Sequence, residues 1–449
     1  MLNRAQRRAS RAGGGVSLII AGAGTGKTKT LIEKIGNTIR GGLASPSSIL
    51  VLTFSRKAAE EIRNRVGREI GAAAASLTAG TFHSFCLKLL REHQESFCRM
   101  RGFSRFPDVL DDEGREAMLR GIIRESIADF MGMPSGVIYS LAQELGALDE
   151  WSRRRLDSLG LLRRLEELNE RFSRCKRERC CIDFGDMIGH ATAMLGNDPS
   201  LRGEMRETYR SIFVDEFQDT SGDNFGLLKL MLPERAPNLF VVGDDWQSIY
   251  GFRDARIEYI VKMKRFFPGA RIFRLDVNYR SRKEIVDLSN RFIRKNRFRT
   301  NKRLRSHRGR GGIVCPHGVR DLDAEIAAVE GIAREELRRS GDVAILFRNN
   351  WQGSLLRKRC PRLEEAEASG MLHTMTMHSS KGLEFTAVII MGVSDDIIPD
   401  AYTDVEEERR LLYVAMTRAR ECLHIVYYIN KSNNAARFAQ ELGFSTQES

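Results

Sequence analysis

The sequence predicts an α/β protein of two units, each built on a parallel sheet, with a helical insertion in the first. Three observations carry that prediction. Short aliphatic runs alternate with longer stretches of helical period, a second set of such runs follows a strongly basic segment, and the strand signal vanishes between Phe82 and Ile182.

In chain order, Val16–Ile20, Ile49–Phe54, Ser211–Val214, Leu239–Val242 and Ile272–Leu275 are apolar-rich runs of strand length, the pattern of strands buried on both faces. The second set is Ile313–Cys315, Val343–Phe347, His373–Met377, Ala387–Met391 and Leu423–Tyr428. Between them, Asp112–Phe130 and Trp151–Cys175 have charged, helix-period sequence and make the insertion. The expected boundaries are 1–87 and 182–276 for the two parts of the first unit, 88–181 for the insertion and 277–449 for the second unit.

Composition agrees. With 449 residues, 42% of them hydrophobic, the chain is too long for one ordinary core and too apolar for disorder. The longest apolar runs, Ser17–Ala23 and Thr386–Val393, fall far short of the ~20 residues that cross a bilayer, so no membrane partner is expected. Met1–Arg11 is rich in arginine and leads into glycines rather than an apolar signal core, which predicts a cytoplasmic chain, or one associated with a nucleoid or virus. Eight scattered cysteines read as free thiols. Cys175, Cys180 and Cys181 form no C-x-x-C pair, and no metal is expected there.

Basic residues exceed acidic ones by 72 to 59, and the excess is concentrated. Twelve Lys or Arg between Arg282 and Arg310 face only Glu284 and Asp287, a density that predicts a surface for a polyanion. A second basic stretch, Arg153–Arg179, is diluted by acids and reads equally well as a solvated helix face.

The strongest motif is Ala21-Gly-Ala-Gly-Thr-Gly-Lys-Thr28, between a strand and a helix that starts near Lys29. It is a P-loop with Ala21 at the first glycine position. Gly22, Ala23, Gly24, Thr25 and Gly26 let backbone N–H groups close around phosphate oxygens, Lys27 adds charge at the β- and γ-phosphates, and the Thr28 hydroxyl suits Mg²⁺. Such a cradle requires a carboxylate toward the metal and another to activate water. The strand end Ser211-Ile-Phe-Val-Asp-Glu216 supplies Asp215 and Glu216 for those tasks. Asp219 and Thr220 read as caps of the following helix.

At this point the chain resembles the superfamily 1A DNA helicases of the UvrD/Rep type, through ordered blocks from Leu2 to Arg420. Leu2-Asn-Arg-Ala-Gln6 resembles the adenine-reading element, with Gln6 on the base. Val51-Leu-Thr-Phe-Ser-Arg56 and Thr81-Phe-His-Ser84 resemble DNA-strand elements, which implicates Thr53, Phe54, Arg56, Thr81, Phe82 and His83. The block from Val241 to Arg253 is similar to the motif coupling γ-phosphate sensing, here by Gln247, to base stacking, here by Tyr250 and Phe252 beside Arg253. Asn278-Tyr-Arg-Ser281, the block from Thr376 to Phe385 with His378, and the block from Glu406 to Arg420 complete the set.

The resemblance implies two RecA-like P-loop motor domains with ATP and Mg²⁺ between them and single-stranded DNA crossing both. Arg280 and Arg418 would reach the transferred phosphate from the second domain, Tyr279 would stack on adenine, and Glu384 would accept from the ribose. Lys29 stands where many relatives carry an arginine in contact with nucleotide. The expected activity is ATP-dependent 3′ to 5′ DNA unwinding in repair or replication, acting at single-stranded DNA and single/double-strand junctions, with replication or repair proteins as partners. Only 25 residues, Arg348–Leu372, stand where UvrD and Rep insert a large accessory subdomain, which points toward the helicase IV branch. A translocase that strips proteins with little unwinding, a clamp with a silent nucleotide site, and an RNA track remain as rivals. Trp246 and Trp351 read as packing residues.

Overall fold

A computed structural model describes residues 1–126, 130, 133–144, 154, 156–400 and 403–444. The first unit contributes β1 (Val16–Ala21), β2 (Ile49–Thr53), β3 (Thr78–Thr81), β4 (Asp108–Val109), β5 (Cys181–Ile182), β6 (Ser211–Val214), β7 (Leu239–Gly243) and β8 (Arg271–Leu275). Six of them form one sheet in the order β3-β2-β6-β7-β1-β8, every pair parallel.

Every residue of β1, β2, β6 and β7 is buried, and their alternation feeds two cores. Leu18, Ile20, Leu50, Leu52, Val214 and Val241 pack with the helices Phe82–Glu92 and Phe184–Asn197. Ile19, Val51, Phe213 and Val242 pack with the helices Lys27–Arg40 and Arg56–Ile70. The sheet is therefore covered on both sides, which is why its central strands read as unbroken apolar runs. β3, Thr-Ala-Gly-Thr, has no such run; as an edge strand it is held by its ladder to β2.

The insertion carries its own core, from Leu119 to Phe172, above a short parallel ribbon of β4 and β5. That core lies well inside the expected 88–181. The helix Phe82–Glu92 and the following Gln94–Arg101 pack on the first sheet's core through Leu89, Leu90 and Phe97, so residues 88–101 belong with the first unit. The helices expected over Asp112–Phe130 and Trp151–Cys175 are seen as Asp112–Glu125 and Leu162–Glu178; residues 127–129, 151–153 and 155 lie outside the described residues.

The second unit contains β9 (Val277–Asn278) and β10 (Arg305–Ser306), which pair with each other. It then builds β11 (Ile313–Val319), β12 (Val343–Phe347), β13 (Leu372–Thr376), β14 (Phe385–Val393) and β15 (Ala419–Tyr428) into a parallel sheet ordered β11-β15-β14-β12-β13. The helices Lys283–Ile293 and Val405–Met416 cover one face, and Leu322–Ser340 covers the other.

The basic segment departs from its expectation. Lys302 is wholly buried and pairs with Asp244 and Asp245 of the first unit. Arg282 and Arg308 share Glu421, and Lys283 pairs with Asp287. Acids distant in sequence thus neutralise three of the twelve cations and the local Asp287 a fourth, and the outward charge is carried by residues such as Arg291, Arg294, Arg303 and Arg310. Trp246 is a packing residue, buried edge-on to Tyr413 between the units. Trp351 is not, being 50% exposed.

Candidate nucleotide and nucleic-acid site

The carboxyl ends of the first sheet's strands gather the chemistry, as an open parallel sheet does at its strand ends. Ala21 closes β1, and the glycine-rich loop turns directly into the helix at Lys27. Gly24 and Gly26 have φ of +66° and +77°, conformations that a residue with Cβ rarely adopts. A Cβ on Gly24 would stand 2.6 Å from Arg280 Cβ, and one on Gly26 2.7 Å from Gln6 Nε2. The loop is braced from the second unit: Asn278 Nδ2 donates to Ala23 O at 2.8 Å and the Tyr279 amide to Gly24 O at 2.8 Å. Internally, the Thr25 hydroxyl donates to Gly22 O at 2.8 Å.

Lys27 Nζ lies 3.8 Å from the Glu216 carboxylate, and the Thr28 hydroxyl donates to Asp215 Oδ2 at 3.3 Å. Thr28 and Asp215 present two oxygen donors beside the loop, a set that suits a hard divalent cation. Glu216 has φ of +50°, a strained conformation for a non-glycine residue that holds its carboxylate toward Lys27. Burial, and then the charge of Glu216, push Asp215 up to about 7. Burial acts on Glu216 too, but Lys27, Lys381 and the Gln218 amide outweigh it and hold that carboxyl below its ordinary range. The pair is therefore split, with Glu216 the more firmly ionised carboxylate.

The second unit closes the pocket. Arg418, 1% exposed, donates through Nη2 to Gln247 Oε1 at 3.2 Å and through Nε to Val414 O at 2.9 Å. Burial and the neighbouring Arg280 push it down to about 9. Arg280 Nε donates to Glu384 at 2.7 Å, so the residue expected at the ribose is here the partner of the residue expected at the phosphate. Gln247 Nε2 also donates to the Asp244 carboxylate.

The amino-terminal segment forms one wall. Gln6 is buried, with Nε2 donating to Thr25 O at 2.9 Å and Oε1 accepting from the Asn3 amide at 2.8 Å. Both ends of its amide are thus engaged within the chain. Asn3 in turn donates to the Tyr279 hydroxyl at 2.9 Å, leaving that ring 38% exposed. Lys29 donates to Met1 O at 3.3 Å.

A second site runs across both units. Phe54 and Tyr250 stack with ring centroids 5.0 Å apart and planes 16° apart. Phe252 meets Tyr250 edge-on at 5.8 Å, and His378 of the second unit meets Phe252 at 5.7 Å. Arg253 lies over Tyr250 and Phe252 at 5.6 and 5.5 Å, while Phe54 and Phe252 stay 41% and 47% exposed. Arg56 is exposed at the adjoining helix start. Burial and the charges of Arg348, Lys381 and Arg253 push His378 down to about 4, so its ring is neutral at neutral pH.

Other expected strand-contact residues are not brought into this row. Phe82 is buried in the first core because it begins a helix whose apolar face packs on the sheet. The Thr53 side chain is buried and donates to Ser55 O at 2.8 Å, Thr81 caps the helix Phe82–Glu92, and His83 meets Phe184 edge-on at 6.1 Å. Asp219 does not cap a helix, a task Ser221 performs; its carboxylate lies 2.6 Å from Lys381 Nζ. Lys381 and Gln218 were missed by sequence reasoning. Lys381 sits inside the Thr376–Phe385 block, and Gln218 Nε2 donates to Glu216 at 2.7 Å while its Oε1 accepts from the Asp244 amide at 2.8 Å.

Two parallel sheets, a P-loop at the end of one and two arginines reaching toward it from the other define a two-lobed P-loop protein. Residues 2–268 match the model of the UvrD/REP helicase N-terminal domain, and residues 273–364 and 359–430 match that of the UvrD-like helicase C-terminal domain. The chain belongs to the UvrD/REP helicase family. It is 31% identical over 365 residues to DNA helicase II of Escherichia coli, covering 79% of this chain and 49% of that protein. It is 31% identical to ATP-dependent DNA helicase Rep of Escherichia coli over 80% of this chain and 53% of Rep, and 30% identical to ATP-dependent DNA helicase PcrA of Bacillus subtilis over 79% and 48%. The chain spans about half the length of these relatives. Among the described residues no helix is long and apolar enough to cross a membrane.

Proposed function

We propose that this chain is an ATP-driven DNA helicase and single-stranded DNA translocase moving 3′ to 5′, acting in repair or replication at single-stranded DNA and its junctions with duplex. One observation carries the reading: Arg418 of one lobe donates to Gln247 of the other, and Arg280 lies against Gly24 of the loop, so a nucleotide held there would be shared by both.

In this reading the loop from Ala21 to Gly26, with Lys27, cradles the phosphates of ATP, and Tyr279, Gln6 and Lys29 border the base. Thr28 and Asp215 would hold Mg²⁺, which supplies positive charge to the phosphate oxygens. Glu216 accepts the proton of the attacking water, because it stays ionised beside Lys27. Arg280 and Arg418 stabilise charge on the transferred phosphoryl group, so catalysis depends on closure of the lobes. Glu384 releases Arg280 or takes the ribose according to that closure.

The row Phe54, Tyr250, Phe252 and His378 offers ring faces for bases, with Arg56 and Arg253 beside them for the backbone. The direction of travel is that of the family. ATPase rates with single-stranded DNA, single-stranded RNA or neither test the proposal: hydrolysis stimulated by DNA and lost in Lys27→Ala is expected, and none under any condition refutes it.

A second reading is favoured by the link between β12 and β13, which holds only the helices Asn350–Arg359, Pro361–Leu363 and Glu364–Ala368. With no accessory subdomain inserted there, the chain would displace proteins better than it parts strands. Forked-duplex unwinding at catalytic enzyme levels would exclude that reading in favour of the first.

A further inference from the structure

Far from both sites, the strands β11 and β15 each carry a cysteine and a histidine two residues apart: Cys315-Pro-His317 and Cys422-Leu-His424. The strand period of two puts all four side chains on one face, and the parallel register sets Cys315 beside His424. The helix Leu322–Ser340 covers that face and lowers Glu336 onto it. Glu336, Cys422 and His424 are 3%, 1% and 7% exposed.

His424 Nε2 lies 3.1 Å from Cys422 Sγ and 3.2 Å from Glu336 Oε1, and Cys422 Sγ lies 3.6 Å from the same oxygen. Ligands at roughly 2.0–2.3 Å from a tetrahedral Zn²⁺ stand about 3.3–3.6 Å from one another. Two of the three separations are a few tenths of an ångström shorter than this, so a small outward shift sets the three atoms on one face of such a tetrahedron. The other nitrogen of His424, Nδ1, is 3.0 Å from His317 Nε2, the kind of outer partner that fixes a ligating imidazole. The Cys315 thiol lies within 4.8 Å of one ring nitrogen each of His317 and His424, a neighbouring group that shares His424 with the first. Arg339 approaches the Glu336 carboxylate at 3.3 Å and is the one cation paired with it among the described residues.

We propose that Cys422, His424 and Glu336 ligate a structural Zn²⁺, with Cys315 as the fourth ligand and His317 as the orienting partner of His424. The ion fastens the edge strand β11 and the helix Leu322–Ser340 to β15. Burial, with Glu336 beside it, pushes the Cys422 thiol up to about 12, so metal binding must displace its proton to solvent. The class of ion follows from the donors, since thiolate with imidazole selects zinc over magnesium or calcium.

The test uses the full chain, purified with reductant, stripped with chelator and titrated with Co²⁺. Expected are a thiolate-to-cobalt charge-transfer band, intense tetrahedral d–d absorption, saturation at one equivalent and displacement by Zn²⁺. An ion held by Thr28 and Asp215 would give neither the thiolate band nor tetrahedral intensity, so the nucleotide site cannot imitate the result. Cys422→Ser and Cys315→Ser should each weaken the band, and the double variant should abolish it. If Cys422→Ser does not fold, Cys315→Ser and the unmodified chain decide. Absence of the thiolate band in the unmodified chain, or its full persistence in the serine variants, overturns the assignment.

Discussion

Lys381 of the second lobe lies 2.6 Å from the Asp219 carboxylate of the first and donates to the Gln247 carbonyl at 2.9 Å. The same ammonium stands 4.6 Å from the Tyr250 ring centroid. One cation therefore touches the backbone of the residue that contacts Arg418 and a ring of the exposed aromatic row. Gln247, Lys381 and Tyr250 are thus in direct contact, the route by which the proposed γ-phosphate sensor would be coupled to the aromatic row.

Lys381→Ala is expected to act on both stability and coupling. Asp219 is 1% exposed, and removing the cation leaves its carboxylate buried with only the Gln218 amide, at 3.3 Å, to offset its charge, at a cost of about 3–5 kcal/mol. Stimulation of ATPase by DNA should fall by roughly 5–150-fold, the range of a typical coupling energy. Pairing Lys381→Met with Asp219→Asn should restore the urea midpoint without restoring stimulation. A double variant that recovers both would show that the ion pair is only structural.

Glu216→Gln should separate binding from hydrolysis. The amide keeps the shape beside Lys27 but cannot take a proton, so single-turnover hydrolysis should drop by ~10²–10⁴-fold. Affinity for a fluorescent ATP analogue should hold or rise, because the carboxylate that competes for Lys27 at 3.8 Å is gone. Loss of binding together with hydrolysis would count against the role of base.

Rings in the exposed row and rings in the core should respond differently. Phe54→Ala and Phe252→Ala should each weaken single-stranded DNA binding by about 1–3 kcal/mol, read by fluorescence anisotropy at fixed salt. Phe82→Ala should leave the affinity of the folded protein unchanged and cost about 3–5 kcal/mol of stability, since its ring belongs to the first core. An affinity loss in Phe82→Ala matching that in Phe54→Ala would contradict the packing seen here.

The alternation of apolar runs made the central strands legible, because a strand buried on both faces must be apolar throughout. β3 was not legible: Thr78-Ala-Gly-Thr81 is fixed by hydrogen bonds to β2, and a ladder leaves no mark in composition. The phosphate loop and the Asp215-Glu216 pair could be read because their chemistry is local in sequence. Lys381 with Asp219, and Lys302 with Asp244 and Asp245, could not, since each pairs side chains brought together only by the docking of the lobes. The same docking neutralises Lys302 of the basic segment, while Arg282 and Arg308 are paired within the second unit by Glu421, more than a hundred residues away in sequence. Cys-x-His on β11 and β15 had a readable period, but its meaning lies in two strands becoming neighbours.

Stability should depend on pH through His190, which sits on the helix Phe184–Asn197 with its ring 5.4 Å from that of Phe97. Burial, and then the charge of Arg101, push it down to about 4 from an ordinary 6.5. Between those values the unfolded chain binds a proton that the folded chain refuses. Stability therefore rises with pH across this window; the contribution is complete above about pH 6.5 and is lost as pH falls toward 4. His190→Leu removes the titrating group while keeping an apolar side chain against Phe97. Its urea midpoint should vary less with pH than that of the unmodified chain over this window, with the remaining slope owed to His378 and other groups. Identical slopes in the two proteins would mean that His190 is protonated in the folded state as readily as in the unfolded one, and that its burial costs the charged form nothing.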